Sequence, residues 1–175
     1  GRSEILDEYW DEIDLNDERY IEVKRLVSMI TTGNEIAHIA DIGCGRGRYL
    51  KGLKKEFSRC RFTGVDPYVS DQFDAEIVLK RGILTCIPFK DSSFDLTYTC
   101  EALEHAIDIE AAIREMARVT KIGGLICVID KNAEYLGTLK IGEWEQWFNK
   151  DELAKIIEKY CDDVEVKAGI AHSED

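Results

Sequence analysis

Residues 38–47 read HIADIGCGRG: an apolar strand runs into an acidic residue, three glycines follow at alternate positions, and a helix comes next. Because glycine lacks a Cβ, a backbone rich in it can turn sharply and approach a ligand closely. The free N–H groups of the following helix would point into the same space. The stretch therefore predicts a small-molecule site at the carboxyl end of the first strand of an open α/β sheet.

The spacing of the glycines narrows the class of ligand. A dinucleotide-binding fingerprint needs its third glycine three positions after the second, where this chain has Arg48. A P-loop needs Gly-Lys followed by Ser or Thr, which the stretch does not contain. The order Asp-x-Gly-x-Gly-x-Gly in residues 41–47 instead resembles the first motif of class I S-adenosylmethionine-dependent methyltransferases.

Later stretches resemble the same family in the same order. Residues 61–66 read RFTGVD and end in a carboxylate, Asp66, 23 residues after Gly43. Residues 87–95 read IPFKDSSFD, which is similar to the family's "LPF…FD" segment. EALEH at 101–105 and RVTKIGG at 118–124 resemble its "EVLEH" and "RVLKPGG" stretches.

This resemblance extends over about residues 36–130, and by it the chain is identified as a member of the class I methyltransferases, in the methyltransferase type 11 and ubiquinone-pathway group. It implies an α/β fold: a doubly wound, mostly parallel, Rossmann-like sheet with helices on both faces. The alternation of helical and strand patterns favours the same architecture. Strands are predicted at 36–42, 61–66, 77–79, 94–100, 125–129 and 164–168, and helices at 17–31 and 46–57. A third helix contains Ile109 to Met116 and ends before Gly123, and a fourth, capped by Asn149, contains Leu153 to Tyr160.

The family usually closes its sheet with an antiparallel seventh strand, and only residues 171–175 follow the predicted sixth strand. We therefore expect the sheet to lack that strand, or a homodimer partner, a partner domain or a missing segment to cover the C-terminal edge. Residues 1–175 are predicted as one methyltransferase domain, with a helical cap at 1–35, a cofactor-binding core at 36–131 and a substrate-side segment at 132–175.

The composition limits the cellular compartments and the classes of partner that we expect for this chain. The net charge is −12, from 35 acidic and 23 basic residues, so the surface would repel phosphate backbones and nucleic acid is disfavoured as a substrate. Six cysteines without a C-x-x-C pair, no apolar run as long as a membrane span and no visible signal peptide favour the cytoplasm. We interpret the basic cluster on the predicted second helix as a solvated face, formed by Arg46, Arg48, Lys51, Lys54 and Lys55.

The resemblance also implies the residues that bind S-adenosylmethionine and its product, S-adenosylhomocysteine. The loop backbone would lie under the methionine part, Asp41 would support the loop and reach the amine through water, and Asp66 would accept hydrogen bonds from two ribose hydroxyls. Ile83 stands where the family often has an aspartate for the adenine amino group, which leaves the adenine to apolar contact and backbone groups near Leu84. The predicted cofactor residues are Asp41, Gly43, Cys44, Gly45, Gly47, Asp66, Pro67, Leu84 and Cys100.

Glu101, Glu104 and His105 are the candidates for chemistry beyond cofactor binding. At i, i+3 and i+4 they would share one helical face just after the fourth strand. Such a set can hold His105 as a base, bind a divalent cation, or serve only to cap the helix. We take His105 and Glu101 as the catalytic residues, assign no metal ligand, and keep a divalent cation as the less favoured alternative.

The expected reaction is methyl transfer to an oxygen or nitrogen of a small polar metabolite or a sugar. In-line displacement at a sulfonium needs alignment and exclusion of water more than a fixed catalytic triad. Two alternatives remain open at this point: a methyltransferase that acts on RNA or protein, and a non-catalytic module that keeps the fold to bind a partner.

Overall fold

In a computed structural model, residues 13–32, 36–69, 71–73, 77–135 and 146–167 are described. The strands are β1 (His38–Ile42), β2 (Arg61–Asp66), β3 (Gln72–Phe73), β4 (Ile77–Arg81), β5 (Phe94–Cys100) and β6 (Thr120–Ile129). The helices are α1 (Glu18–Ile30), α2 (Arg48–Glu56), α3 (Ile109–Val119) and α4 (Lys150–Ile157). Short 3-10 turns cover Leu103–His105 and Ala133–Tyr135.

The six strands form one sheet in the order β3-β4-β2-β1-β5-β6. Every neighbouring pair is parallel except β3 with β4, so five parallel strands carry one short antiparallel strand at the edge. The chain order reverses between β1 and β5, because β2 lies on one side of β1 and β5 on the other. In open α/β sheets this switch point leaves a crevice beyond the carboxyl ends of the two strands.

Helices cover both faces of the sheet, as the sequence predicts. Ile39 packs in a cluster with Val23 and Val27 of α1 and with Leu50 of α2. Its neighbours Ala40 and Ile42 face the other way, into a cluster with buried side chains of α3 that include Met116 and Val119. Both faces of β1 are thus buried, which explains its nearly continuous apolar sequence.

The C-terminal part of the sheet differs from the prediction. Strand β6 begins at Thr120 rather than at 125, and the register against β5 shifts between Phe94 and Leu96. Gly124 makes this possible, since a Cβ there would lie 2.8 Å from the carbonyl oxygen of Asp95.

The strand predicted at 164–168 is wrong over the described residues 164–167, which form no strand. Val166 is 49% exposed, so burial does not drive the segment onto the sheet. Position 168 and residues 171–175 lie outside the described residues. Across the described ranges, no helix has the length and apolar character needed to cross a membrane.

Candidate ligand-binding site

A cavity of about 320 Å³ opens at the carboxyl ends of β1 and β5, at the switch point of the sheet. The end of β1 and the glycine loop that follows form one wall, and the end of β5 forms the other. Side chains from α2 complete it. The lining residues are Asp41, Gly43, Cys44, Gly45, Arg46, Arg48, Tyr49, Cys100 and Glu101.

The glycine loop folds over the end of β2 through backbone hydrogen bonds. The N–H groups of Gly43 and Cys44 both donate to the carbonyl oxygen of Val65, at 2.7 and 3.1 Å. Gly43 has φ +87°, and a Cβ on it would lie 2.3 Å from the Cβ of Ala102, just beyond β5. Gly45 has φ +53° but would meet nothing within 4 Å. The loop therefore combines a close backbone approach at Gly43 with open space at Gly45.

Asp66 secures this loop from behind. Its Oδ2 accepts the N–H of Gly45 at 2.9 Å and its Oδ1 accepts the N–H of Tyr68 at 2.9 Å. Asp66 is buried at the end of β2 and is not among the described residues that line the cavity. Each carboxylate oxygen has two lone pairs, so both can still accept a further hydrogen bond.

Asp41 is the buried carboxyl group of the cavity wall. Burial raises its pKa to about 7, and the nearby Asp66 charge adds to the shift, whereas Tyr98 and Arg48 oppose it. The Tyr98 hydroxyl stands beside Asp41 on the neighbouring strand but makes no hydrogen bond of good geometry. A cation in the cavity would favour the ionised form of Asp41.

Glu101 follows β5 in a left-handed backbone conformation, with φ +50°. Its N–H donates to the carbonyl oxygen of Ile129 at 2.8 Å, which ties it to β6. Its Oε2 lies 2.6 Å from Nη1 of Arg19, a side chain of α1 that is itself 13% exposed. The predicted catalytic carboxylate is thus an ion-pair partner in the cavity wall.

Glu101, Glu104 and His105 do not share a helical face, contrary to the prediction. Only Leu103–His105 forms a 3-10 turn, and Glu101 precedes it outside any helix. Glu104 is 2% exposed and turns towards Lys131, whose Nζ lies 3.3 Å from its Oε1. A helix that includes Glu101 would need a negative φ at this residue, whereas its φ is +50°.

His105 lies at the exposed end of this turn and is not among the described residues that line the cavity. Its Nε2 is 3.5 Å from Oε1 of Glu104.

Asp130, at the end of β6, is a second buried carboxyl group, and it accepts the N–H of Glu104 at 3.1 Å. Burial raises the pKa of Asp130 to about 7, and the charges of Glu104 and Glu101 add to the shift. In the described part of the chain, no three His, Cys, Asp or Glu side chains converge as a metal-ligand set.

The other predicted cofactor residues surround the loop at different depths. Cys44 and Cys100 line the cavity, and burial raises the pKa of both thiols. Leu84 packs 3.9 Å from the point where a Cβ of Gly43 would stand. Pro67 is half-buried in the turn after β2, and Ile83 is exposed in a bridge with Cys86.

Gly47 closes the loop. With φ +73° it is the N-cap of α2, and its N–H donates to the carbonyl oxygen of Cys44 at 2.8 Å. The structure therefore gathers the predicted glycines and Asp41, Asp66 and Cys100 around the end of β1.

Several residues of the site escaped the sequence analysis. Arg46 and Arg48 line the cavity, which the interpretation of the basic cluster as a solvated face did not anticipate, although Arg46 is exposed as that interpretation expects. Tyr49 also lines it and donates its hydroxyl to Oδ2 of Asp17 at 2.8 Å. An aromatic residue just after the glycine loop was a signal that could have identified Tyr49. No signal in the sequence could have identified Arg19, because its contact with Glu101 depends on how α1 packs on the sheet.

Comparison with known proteins points to one family. The family described as "Methyltransferase domain" matches residues 40–128. A demethylmenaquinone methyltransferase of Roseiflexus castenholzii is 32% identical over 59% of this chain and 47% of its own length. A ubiquinone biosynthesis O-methyltransferase of a Bradyrhizobium species is 31% identical over 67% of this chain and 54% of its own length.

A solved phosphoethanolamine N-methyltransferase 2 of Haemonchus contortus, in complex with S-adenosyl-L-methionine, shares the fold with a TM-score of 0.59. It is 18% identical, and the match covers 78% of this chain and 36% of that one. The chain spans about half the length of the two curated relatives.

Alanine at Gly43 and at Gly45 should have unequal effects. Both positions have positive φ, which costs a residue with a Cβ about 1 kcal/mol, but only Gly43 also meets Ala102. We expect Gly45→Ala to lower the free energy of unfolding by about 1 kcal/mol and Gly43→Ala by about 3 kcal/mol in urea titrations. Adding Ala102→Gly to Gly43→Ala should recover part of the loss, and equal losses for both single variants would contradict the close approach.

Asp41 should make the protein less stable as the pH rises. Because folding raises its pKa from 3.8 to about 7, the folded state holds a proton that the unfolded state has lost between these values. The stability therefore falls over this interval and is constant above it. We expect Asp41→Asn to gain about 2–4 kcal/mol relative to wild type between pH 4 and pH 7 in urea titrations.

Asp95 is the matched control for this experiment. It lies at the opposite end of the sheet, where Lys121 and the N–H of His38 lower its pKa although burial opposes them. Asp95→Asn should therefore lose stability relative to wild type as the pH rises through the acid range. A stability difference between Asp41→Asn and wild type that does not change with pH would rule out the raised pKa.

Proposed function

This chain belongs to the methyltransferase domain family, and from that premise we propose that it binds S-adenosylmethionine in the cavity at the ends of β1 and β5 and transfers its methyl group. The observation that carries the proposal is the glycine loop itself. It stands at the switch point of the sheet, with a backbone approach at Gly43 that no side chain could share and open space beside Gly45. Such a cradle suits a ligand held by backbone groups.

The charges of the cavity suit this cofactor. S-adenosylmethionine carries an ammonium, a carboxylate and a sulfonium, and the wall presents the carboxyl groups of Asp41 and Glu101 together with the arginines Arg46 and Arg48. The volume of about 320 Å³ falls at the lower end of the range typical of small-molecule pockets. We assign Asp66 the role of accepting the ribose hydroxyls: its Oδ2 already accepts the loop N–H of Gly45, and both of its oxygens keep a lone pair for a further hydrogen bond.

When bound, the cofactor supplies a methyl group on a positively charged sulfur, which leaves as the neutral thioether of S-adenosylhomocysteine. The residues of this chain then have to hold the acceptor in line and keep water out. For a hydroxyl acceptor we assign His105 the role of accepting the proton. It does not line the cavity, but it is exposed four residues after Glu101 of the cavity wall, where an acceptor that extends out of the cavity would reach it. Glu101 would orient the acceptor or the cofactor from the cavity wall.

The acceptor we propose is a small polar metabolite or a sugar, methylated on oxygen or nitrogen. The net charge of −12 supports it over RNA. The relative named for ubiquinone biosynthesis is an O-methyltransferase, which supports oxygen as the methylated atom. The free cysteines, two of them buried in the core, support a reducing compartment such as the cytoplasm.

We also propose that a second copy of the chain or a further domain covers the outer edge of β6. No strand in the described part of the chain pairs with that edge. Its residues 125–128 are only partly buried, which is unusual for an apolar strand of a parallel sheet.

Calorimetry with S-adenosylhomocysteine tests the cofactor. The wild-type protein should bind S-adenosylhomocysteine and should not bind NAD. Asp66→Ala should weaken the binding of S-adenosylhomocysteine by about 1–3 kcal/mol, because charge-assisted hydrogen bonds are lost. Asp95→Ala is the control, because Asp95 also accepts a backbone N–H, from His38 at 2.8 Å, but at the far end of the sheet. If the wild-type protein binds no S-adenosylhomocysteine, the result would favour the non-catalytic module. If Asp66→Ala binds it as tightly as wild type, the assignment of the ribose to Asp66 at the end of β2 would be wrong.

The base role of His105 is tested with labelled S-adenosylmethionine and a panel of catechols, sugars, amines, RNA and protein. With a hydroxyl acceptor, His105→Gln should lower kcat about a hundredfold while the affinity for S-adenosylhomocysteine stays unchanged. His38→Gln, at the start of β1, is the control. An unchanged kcat would remove His105 from the mechanism, and transfer to RNA or protein alone would overturn the small-molecule acceptor.

A further inference from the structure

Helix α1 supplies a charged side chain that pairs with Glu101 of the cavity wall, although the helix belongs to the segment that precedes the sheet. Arg19 stands in its first turn, and its Nη1 lies 2.6 Å from Oε2 of Glu101. The two side chains are 13% and 27% exposed, so the ion pair is shielded from water and weakly screened by salt. A pair in this position can influence what the cavity binds.

The guanidinium of Arg19 is held in a fixed orientation by Asp17, the N-cap of α1. Nε donates to Oδ1 and Nη2 to Oδ2 of Asp17, at 2.9 and 2.8 Å, in a bidentate arrangement. Although burial opposes it, these hydrogen bonds and that from Tyr49 lower the pKa of Asp17 to about 2. Because Tyr49 itself lines the cavity, two cavity residues, Tyr49 and Glu101, are tied to the same turn of α1.

The backbone of Glu101 is strained, and the residue is held both through its backbone and through its side chain. A left-handed conformation at a non-glycine residue is unfavourable and persists only where the surroundings impose it. Its N–H is bound to Ile129, and its carboxylate is bound to Arg19. Among the described residues with positive φ other than glycine, Ser92 and Asp163 lie away from the cavity, and Glu101 lines it.

The geometry points to Arg19 as a positioning residue of the cofactor site: it fixes the carboxylate of Glu101 at the cavity wall and thereby makes the site depend on helix α1. This inference rests on the proposed function, since it takes S-adenosylmethionine as the ligand. Without Arg19, the Glu101 carboxylate would lose this ion pair, and the counter-charge that it offers to the cationic half of the cofactor would be less firmly fixed. Arg19 acts through Glu101, so its effect should vanish when Glu101 is changed.

A double-mutant cycle read by calorimetry with S-adenosylhomocysteine tests the inference. We expect Arg19→Gln to weaken binding about fivefold to tenfold and Arg19→Lys to restore part of the loss. In the Glu101→Gln background, Arg19→Gln should cause no further loss, whereas a purely structural role would give additive losses. Arg19→Lys keeps the cycle interpretable if Arg19→Gln fails to fold.

Lys24→Gln is the matched control. Lys24 lies on the same helix and forms an ion pair with Glu56 of α2, away from the cavity. It should lower stability to urea without changing the affinity. Wild type that fails to bind would overturn the proposed function, whereas wild type and Arg19→Gln that bind equally, or losses that add across the cycle, would overturn this inference alone.

Discussion

The contact between the backbone of Gly43 and the Cβ of Ala102 is the constraint on which the site depends. It brings the loop after β1 against the segment after β5, so the two walls of the cavity are set by one van der Waals contact. A side chain at Gly43 would separate them. The N–H groups of Gly43 and Cys44, both bound to Val65, hold the loop in this position from the other side. The site therefore requires both Gly43 after β1 and a small residue, Ala102, just beyond β5, because each has to leave room for the other.

Buried and partly buried carboxyl groups around the cavity are the second feature on which the site depends. Asp41 is buried and forms no ion pair with a described residue; its pKa of about 7 reflects the cost of ionising it there, which the nearby charge of Arg48 only partly offsets. Asp66 is bound by two backbone N–H groups, and Glu101 is bound by Arg19. A ligand with both a cation and an anion would complete this arrangement, which is why the charges and the glycine loop support the same cofactor.

Much of the fold was predictable because its signals are local. The apolar run of β1, the glycines and the helical period of α3 each follow from a few neighbouring residues, and all were recovered. The failures lie where local pattern and burial disagree. Residues 164–168 were predicted as a strand, but Val166 stays exposed and the described residues 164–167 form none. The helical spacing of Glu101, Glu104 and His105 was likewise overruled by the turn that leaves β5.

The sequence by itself determined the class of fold, the end of the sheet where the cavity lies, and the glycine loop at that end. These features depend on backbone freedom and strand periodicity, which neighbouring residues specify. The sequence also placed Asp41 and Asp66 at the tips of neighbouring strands. Only the tertiary structure decided that Arg19 meets Glu101 and that Glu104 turns to Lys131. These pairs join residues 82 and 27 positions apart, and their contact depends on how helices and strands pack, which no short stretch of sequence specifies.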